Sequence, residues 1–451
     1  MKGNMDMDLK NKKILVIGLA RSGLAAIRLL HEIGVTDITL TEQREVKEKE
    51  YLESIGVTIL PQSDEVFERP YDLVIKNPGV PPISPFIRRF KDRGIPVITE
   101  VELAYRLAKP QHYVAITGTN GKTTTTTLVY ELLKKAYGDK AHVGGNIGTP
   151  LCELVLEHNL LNEEGHYISL EISNAQLIDI VTFRPEISVI INLTPDHIDF
   201  MGGLDNYYYS KTRVYMNCHE DDLFLYNADD PIVKEYTDKY PIPCQKMKFY
   251  LETQDTDAYL KDGWMVINGE KVLELDRITL PGMHNKQNII IAVSAAMKMG
   301  VTKEQAQEVI YSFKGVEHRI EFTRELDGVK YYNDSKGTNT DATITALKSF
   351  DKGVILLVGG FEKGLSMDEM KKHLGCVKKV IGFGASGPRI AHDLAGDNAI
   401  VVNNLEEAVH AAKDIAVPGD IVLLSPTTSS FDQYPNFEER GKHFKRIVAA
   451  L

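Results

Sequence analysis

Tyr113-Val114-Ala115-Ile116-Thr117-Gly118-Thr119-Asn120-Gly121-Lys122-Thr123-Thr124 is a short apolar run that empties into a glycine turn and reopens as a threonine-rich helix start. A strand, a turn and a helix in that order aim several backbone N–H groups, and the positive end of the helix, at one spot suited to a phosphate. Gly118 and Gly121 permit tight or left-handed backbone, Lys122 has the reach for outer phosphates, and the Thr123 hydroxyl is placed to ligate a divalent cation. The strict phosphate-loop pattern puts a glycine five residues before Gly121, where this chain has Ile116, so the loop is a G-x-x-G-K-T-T variant. A bare G-K-T triplet also arises in an ordinary turn into a helix. The preceding strand Tyr113–Ile116 and the helix Thr123–Tyr130 favour a nucleotide loop, with Gly118, Thr119, Asn120, Gly121, Lys122, Thr123 and Thr124 as its contacts.

With 451 residues, the chain is longer than one hydrophobic core usually supports. Apolar residues make up 43% and charged residues 25%, the profile of a globular enzyme. A formal net charge of −11 argues against nucleic acid or an anionic membrane surface as partner, since both demand a basic face. Cys152, Cys218, Cys244 and Cys376 are far apart and form no C-x-x-C pair, which fits a reducing cytoplasm rather than a disulfide or zinc framework. Met1 to Lys13 is polar, without the apolar stretch of a signal peptide, and no run is long enough to span a bilayer. A cytoplasmic monomer is expected.

Outward from the loop, the chain alternates strands and helices throughout. Lys13–Ile17 reads as a strand, Gly18-Leu19-Ala20-Arg21-Ser22-Gly23 as a turn, and Leu24–Glu32 as a helix, the opening of a doubly wound unit. Ala20 stands where a dinucleotide fingerprint has its second glycine, which weakens a nicotinamide reading. Further strands, Asp37–Thr41 and Asp72–Lys76, end in Glu42-Gln43-Arg44 and Asn77-Pro78-Gly79-Val80, giving a crevice at their carboxyl ends. A scaffold without a ligand is the bland alternative. Ile95–Thr99 closes this region, and Glu100–Ala108 connects it to the phosphate loop.

In the middle region, Tyr167–Ile172, Ile187–Asn192 and Leu223–Asn227 read as buried strands. Glu171 lies near the exit of one and His197 just past another, where both could face a metal at the loop. Singly, a glutamate is usually a surface charge and a histidine a satisfied polar group. Asn206–Asn217 reads as a tyrosine-rich helix whose Lys211 is solvated by default. Asn285, before the helix Ile289–Met299, reads as an N-cap. Later strands Val329–Asn333, Val354–Val358, Val380–Phe383 and Ile421–Leu424 each empty into a Gly/Ser/Thr/Lys-rich loop, as in a second doubly wound domain with an anion-holding face.

The fold expected is α/β in three domains: Rossmann-like over 1–99, P-loop ATPase-like over 100–315, and doubly wound Rossmann-like over 316–451. The ordered set Gly118–Thr124, Gly145-Asn146-Ile147-Gly148, Leu170-Glu171-Ile172-Ser173, Thr194-Pro195-Asp196-His197, His284-Asn285-x-x-Asn288 and His318-Arg319 resembles the Mur ligases. These are ATP-dependent amide ligases of peptidoglycan precursor synthesis. Asn333–Asn339 and Leu423-Leu424-Ser425-Pro426 with Ser430-Phe431-Asp432-Gln433 are similar to the family's D-glutamate-adding branch.

That resemblance implies ATP and Mg²⁺ as cofactors, and UDP-N-acetylmuramoyl-L-alanine and D-glutamate as small-molecule substrates. It implies Lys122 on the outer phosphates, Thr123 and Glu171 on one metal, and His197 with a carbamylated Lys211 on a second. It places Asn285, Asn288, Arg319 and Asp334 at the nucleotide and Asn146 near the reacting centre. Lys336, Thr338, Lys363, Ser430 and Phe437 match the D-glutamate pocket, where lysines and hydroxyls suit a dicarboxylate. Arg21, Ser22, Glu42, Arg44, Asn77 and Gly79 are the candidate uridine diphosphate contacts, and domain closure is expected to assemble the site. Two positions depart from the family pattern: Glu42-Gln43-Arg44 replaces an Asp-Thr-Arg-like segment, and Phe361 stands where an acidic residue is expected, with Glu362 beside it. A folylpolyglutamate synthase shares the loop and the amide chemistry but leaves the first domain and Asn333–Asn339 unexplained. A nicotinamide dehydrogenase leaves the phosphate loop idle. A non-catalytic nucleotide-binding regulator would bind ATP without turnover.

Overall fold

The computed structural model describes residues 9–195, 198–251 and 257–451, apart from the side chains of 198, 199 and 341. Among the described residues the strands form three sheets, mostly parallel, as the alternation of strand and helix requires. In the first, five parallel strands run in spatial order Thr58–Pro61, Asp37–Glu42, Lys13–Ile17, Leu73–Lys76 and Val97–Ile98. Chain order reverses between Lys13–Ile17 and Leu73–Lys76, which opens a crevice at their carboxyl ends. Ile14, Leu15, Val16 and Ile17 are all buried, because helices cover both faces of a parallel sheet.

The second sheet has nine strands, in the order Glu270–Glu274, Trp264–Ile267, Ala258–Lys261, Gln245–Phe249, Leu223–Asn227, Ile187–Ile190, His112–Thr117, Tyr167–Glu171, Ala141–Gly145. Only Trp264–Ile267 and Glu270–Glu274 join it antiparallel. This last edge is covered by the helix Lys303–Ser312: Gln307 Nε2 donates to the Val272 carbonyl at 2.7 Å, and Lys303 pairs with Glu270 at 3.0 Å. The third sheet has six strands, in the order Glu321–Leu326, Val329–Asn333, Ile421–Leu424, Val354–Gly359, Val377–Phe383, Ile400–Val401, parallel but for its first hairpin.

The chain divides into two compact units, Met1–Arg277 with Gln287–Ile310, and Ile278–Lys286 with Tyr311–Leu451. The first unit holds the first two sheets. One apolar cluster runs from Ile14 and Leu30 through Val101 and Leu154 to Ile168 and Tyr236, so the two sheets share a continuous core. Helix limits shift relative to the pattern reading: the phosphate-loop helix is Lys122–Tyr137, and the tyrosine-rich helix is Leu204–Thr212 followed by a single 3₁₀ turn, Arg213–Tyr215.

Along the edge strand Ala141–Gly145, His142 is buried with its Nε2 2.8 Å from His166 Nδ1 and its ring stacked on His158 at 3.8 Å. Burial, reinforced by the two neighbouring imidazoles, pushes His142 down to about 4. Its folded value lies below its unfolded one, so the stability is present above about pH 6.5 and is lost as pH falls from there toward 4. Urea unfolding is therefore expected to show a loss of about 1–2 kcal/mol between pH 7 and 5 that His142→Phe flattens. Identical pH slopes in the two proteins would refute the assignment.

Candidate active site

The strand His112–Thr117 ends in the glycine turn, with Gly118 at φ 148° and Gly121 at φ 83°, both in backbone that favours glycine. Asn192, past the neighbouring strand, clamps the turn: its Oδ1 accepts from Asn120 N at 2.9 Å, and its carbonyl accepts from Thr119 N at 3.1 Å. The Thr119 hydroxyl donates to the Thr194 carbonyl at 3.0 Å and accepts from Thr194 N at 3.0 Å. Lys122 Nζ lies over its own loop, donating to the Gly118 and Thr119 carbonyls at 3.0 and 2.8 Å. Thr123 and Thr124 are buried in the first helical turn.

Behind the loop sits Asn288, buried, its Oδ1 accepting from Thr125 Oγ1 at 3.2 Å. A Cβ on Gly121 would stand 2.4 Å from that Oδ1, at a φ that side chains rarely adopt. Gly121→Ala is thus expected to deform the turn, lower the thermal unfolding temperature and cut ATP-dependent turnover by on the order of 10²-fold. Unaltered turnover would show that the turn does not hold the nucleotide.

Two side chains that pattern alone would leave in solvent are buried here. Glu171, the last residue of Tyr167–Glu171, is 3% exposed; its Oε1 accepts from Asn146 Nδ2 at 2.9 Å, while Oε2 is buried with no hydrogen-bond partner. The Asn146 N–H donates to the Glu171 carbonyl at 2.8 Å, so the Gly145–Gly148 loop is fixed to this carboxylate. Lys211 is 1% exposed rather than solvated, because its helix presents it to the loop beside Tyr207. Its Nζ donates to the Gly118 carbonyl at 2.9 Å and lies 4.8 Å from the Tyr207 ring centroid. His197 lies outside the described residues.

At the carboxyl ends of the first sheet, Glu42 accepts from the N–H groups of Leu19 at 2.7 Å, Gln43 at 2.7 Å and Arg44 at 3.1 Å. Burial raises its pKa, but those N–H groups outweigh it and hold the carboxyl below its usual value. Asn77 is buried, its Oδ1 accepting from Gly79 N at 2.9 Å and its Nδ2 unpartnered. Ser22 is in the first turn of the helix Arg21–Glu32, and Arg21 Nη1 donates to the Gly148 carbonyl at 3.0 Å, linking this turn to the Asn146 loop. Arg44 and Gly79 are exposed.

In the second unit, Asp334 is buried between Ile320 N at 3.2 Å and Ser425 Oγ at 2.7 Å, and burial raises it to about 7. Arg319 sits between His318 and Ile320, both at positive φ, with its Nε buried and unpartnered. Lys336 Nζ lies 5.7 Å over the Phe437 ring, and Lys363 Nζ reaches the Thr338 carbonyl at 3.4 Å. Ser430 Oγ is buried without a partner, as are Ser386 Oγ, Ser429 Oγ and Asp432 Oδ1. Glu362 is held by Arg389 at 2.7 Å, which brings it down to about 2. Asn285 is not a cap: the helix Met283–Lys298 begins before it, and its Nδ2 donates to the Pro281 carbonyl at 2.7 Å.

Pattern reading missed Arg440, which is fully buried on the last helix, Phe437–Ala450. It donates to Ser335 Oγ at 3.0 Å and to the carbonyls of Ser335 at 2.9 Å, Thr428 at 3.2 Å and Gly359 at 3.5 Å. An arginine on an amphipathic helix reads as solvated, so no local signal marked it.

The sequence matches the Mur ligase middle domain over residues 116–296 and the Mur ligase glutamate ligase domain over 318–428. The chain belongs to the Mur ligase family. Among its relatives, the UDP-N-acetylmuramoylalanine–D-glutamate ligase of Geobacillus sp. (strain WCH70) is 40% identical over 453 residues, 98% of each chain. The protein of that name from Bacillus subtilis (strain 168) is 38% identical over 458 residues, 99% of each chain. In fold, this Mur ligase is similar to the UDP-N-acetylmuramate-alanine ligase of Thermotoga maritima, with TM-score 0.58 and 22% identity over 98% of this chain and 100% of the other. A MurF ligase from the same organism, solved in complex with ADP, aligns with TM-score 0.58 and 16% identity over 98% of this chain and 99% of that one.

Proposed function

We propose that this chain is a UDP-N-acetylmuramoylalanine–D-glutamate ligase, which joins D-glutamate to UDP-N-acetylmuramoyl-L-alanine at the expense of ATP. The observation that carries this reading is identity near 40% over almost the whole chain to relatives of that name. A shared loop alone would suit a folylpolyglutamate synthase equally well. The assignment to three domains, 1–99, 100–315 and 316–451, goes with it, the first for the uridine nucleotide, the second for ATP and the third for the amino acid. No helix of the described residues is long and apolar enough to cross a membrane; we place the enzyme in the cytoplasm as a monomer.

In this mechanism the N–H groups of Gly118–Thr124 and the Lys122 ammonium bind the β- and γ-phosphates of ATP. The alanyl carboxylate attacks the γ-phosphorus as the bond to the ADP oxygen breaks, giving an acyl phosphate and ADP. The amine nitrogen of D-glutamate then attacks the acyl carbon. The tetrahedral adduct collapses with loss of phosphate, and the nitrogen's surplus proton goes to solvent. Asn146 orients the reacting carboxyl, Lys336 and Lys363 take the carboxylates of D-glutamate, and Thr338, Ser430 and Phe437 complete its pocket. Asn285, Asn288, Arg319 and Asp334 serve the nucleotide; Arg21, Ser22, Glu42, Arg44, Asn77 and Gly79 serve the uridine diphosphate.

The residues fit Mg²⁺. A buried carboxylate oxygen of Glu171 has no hydrogen-bond partner, and Thr123 opens the helix after the loop. Among the described residues there is no group of three or more His, Cys, Asp or Glu that could hold a metal. Thr123 and Glu171 would hold one ion, and His197 with a carbamylated Lys211 a second; bound there, the metal supplies charge neutralisation at the transferring phosphoryl group. Phosphate release should depend on UDP-N-acetylmuramoyl-L-alanine, Mg²⁺-ATP and D-glutamate together. Equal release with L-glutamate or lysine, or none above background, would sink the reading.

A further inference from the structure

Lys76, the last residue of Leu73–Lys76, is 0% exposed. Its Nζ donates to the Val80 carbonyl at 3.2 Å and to the Ala175 carbonyl at 3.4 Å, and stands 3.6 Å from Asp179 Oδ2. The two carbonyls take hydrogen bonds from the ammonium, and the Asp179 carboxylate stands beside it in ion-pair range. They come from different places. Val80 closes the Asn77–Val80 loop at the end of the first sheet, its N–H donating to the Asn77 carbonyl at 3.0 Å. Ala175 lies on the short helix Asn174–Leu177, directly after Glu171-Ile172-Ser173 at the end of a strand of the second sheet. Asp179 follows that helix, is 3% exposed, and is also paired with Lys91 at 2.6 Å.

Burying a lysine is costly, and a buried pair is often no better for stability than apolar side chains of the same volume. Here the charge spans two segments that, on the function proposed above, serve opposite ends of one site: uridine diphosphate at Asn77 and Gly79, and, beside Asn146 and the reacting carboxyl it orients, the metal at Glu171. Resting on that reading, we propose that Lys76, braced by Asp179, is a positioning residue that sets the register between the uridine loop and the catalytic carboxylate strand. Lys76 touches neither substrate nor metal; it fixes the distance the substrate must bridge. Burial also lowers its pKa to about 8, in keeping with an amine held by its partners rather than by water.

Lys76→Met tests this. Its kcat/KM for UDP-N-acetylmuramoyl-L-alanine should fall by about ten-fold or more, since ångström-scale misplacement of a reacting group is that costly. Binding of UDP alone, measured calorimetrically, and KM for ATP should stay within about two-fold of wild type, because each end of the site is intact by itself. Lys76→Arg should restore most of the loss. Unchanged kcat/KM in Lys76→Met overturns the proposal, and so does a matching loss of UDP affinity, which would make Lys76 a support of the uridine loop only. If Lys76→Met does not fold, Asp179→Asn carries the test: it removes the brace and leaves both carbonyl bonds. A smaller loss of kcat/KM with UDP binding kept supports the strut; no change refutes it. Failure of the proposed function would be seen separately, as absence of D-glutamate-dependent turnover in the wild type.

Discussion

Glu171→Gln is expected to lower phosphate release by about a thousand-fold or more while leaving the fold intact, a loss of about 4 kcal/mol of transition-state stabilisation. The amide keeps the shape of the side chain and an oxygen for Asn146 Nδ2, now 2.9 Å from Oε1, so the Gly145–Gly148 loop stays in place. What changes is the other oxygen. Oε2 is buried and has no hydrogen-bond partner, and on the function proposed above it is the oxygen that would take the metal. An NH₂ there repels a cation and offers no lone pair. Single-turnover phosphate release at saturating Mg²⁺, with thermal unfolding alongside, separates the outcomes. Near-normal release would remove Glu171 from the catalytic machinery; a protein that no longer folds would make it a structural group.

The largest stability effect is expected at Arg440. Its guanidinium bridges the loops after Val329–Asn333 and Ile421–Leu424 and the end of Val354–Gly359, through Ser335, Thr428 and Gly359. Burial lowers its pKa to about 10, still leaving it charged at neutral pH, with Asp432 as its leading electrostatic support. Arg440→Met fills the space but strands those carbonyls, at a cost of about 3–5 kcal/mol. Arg440→Lys should recover little, because one ammonium cannot serve three segments in the geometry of a planar fork. Denaturant unfolding of the whole protein checks both variants, and a loss below about 1 kcal/mol would show the network to be dispensable.

Lys13–Ile17, Leu223–Asn227, Val329–Asn333 and Ile421–Leu424 were legible to the residue, because β-branched or aromatic runs with sharp polar ends have no other economical conformation. Ala141–Gly145 escaped notice: His142, Gly144 and Gly145 blur its apolar pattern, yet the strand is buried as an edge of the sheet. Gln245–Phe249 alternates polar and apolar residues between two other strands, a weak signal without its neighbours. At the site, glycines betray the phosphate loop because only they tolerate its backbone. Glu171, Lys211, Arg440 and Lys76 are different. Each is an ordinary surface residue by type, and only tertiary packing buries it.

The helix Lys303–Ser312 has a consequence for handling the protein. An open sheet edge is a template onto which another extended chain can add, and the nine-stranded sheet would offer one along Glu270–Glu274. Gln307 and Lys303 occupy that rim. Resistance to self-association at this rim therefore rests on that helix together with the charges of Glu270, Lys271 and Glu274 on the strand. Substitutions that unseat that helix are therefore expected to raise aggregation on warming.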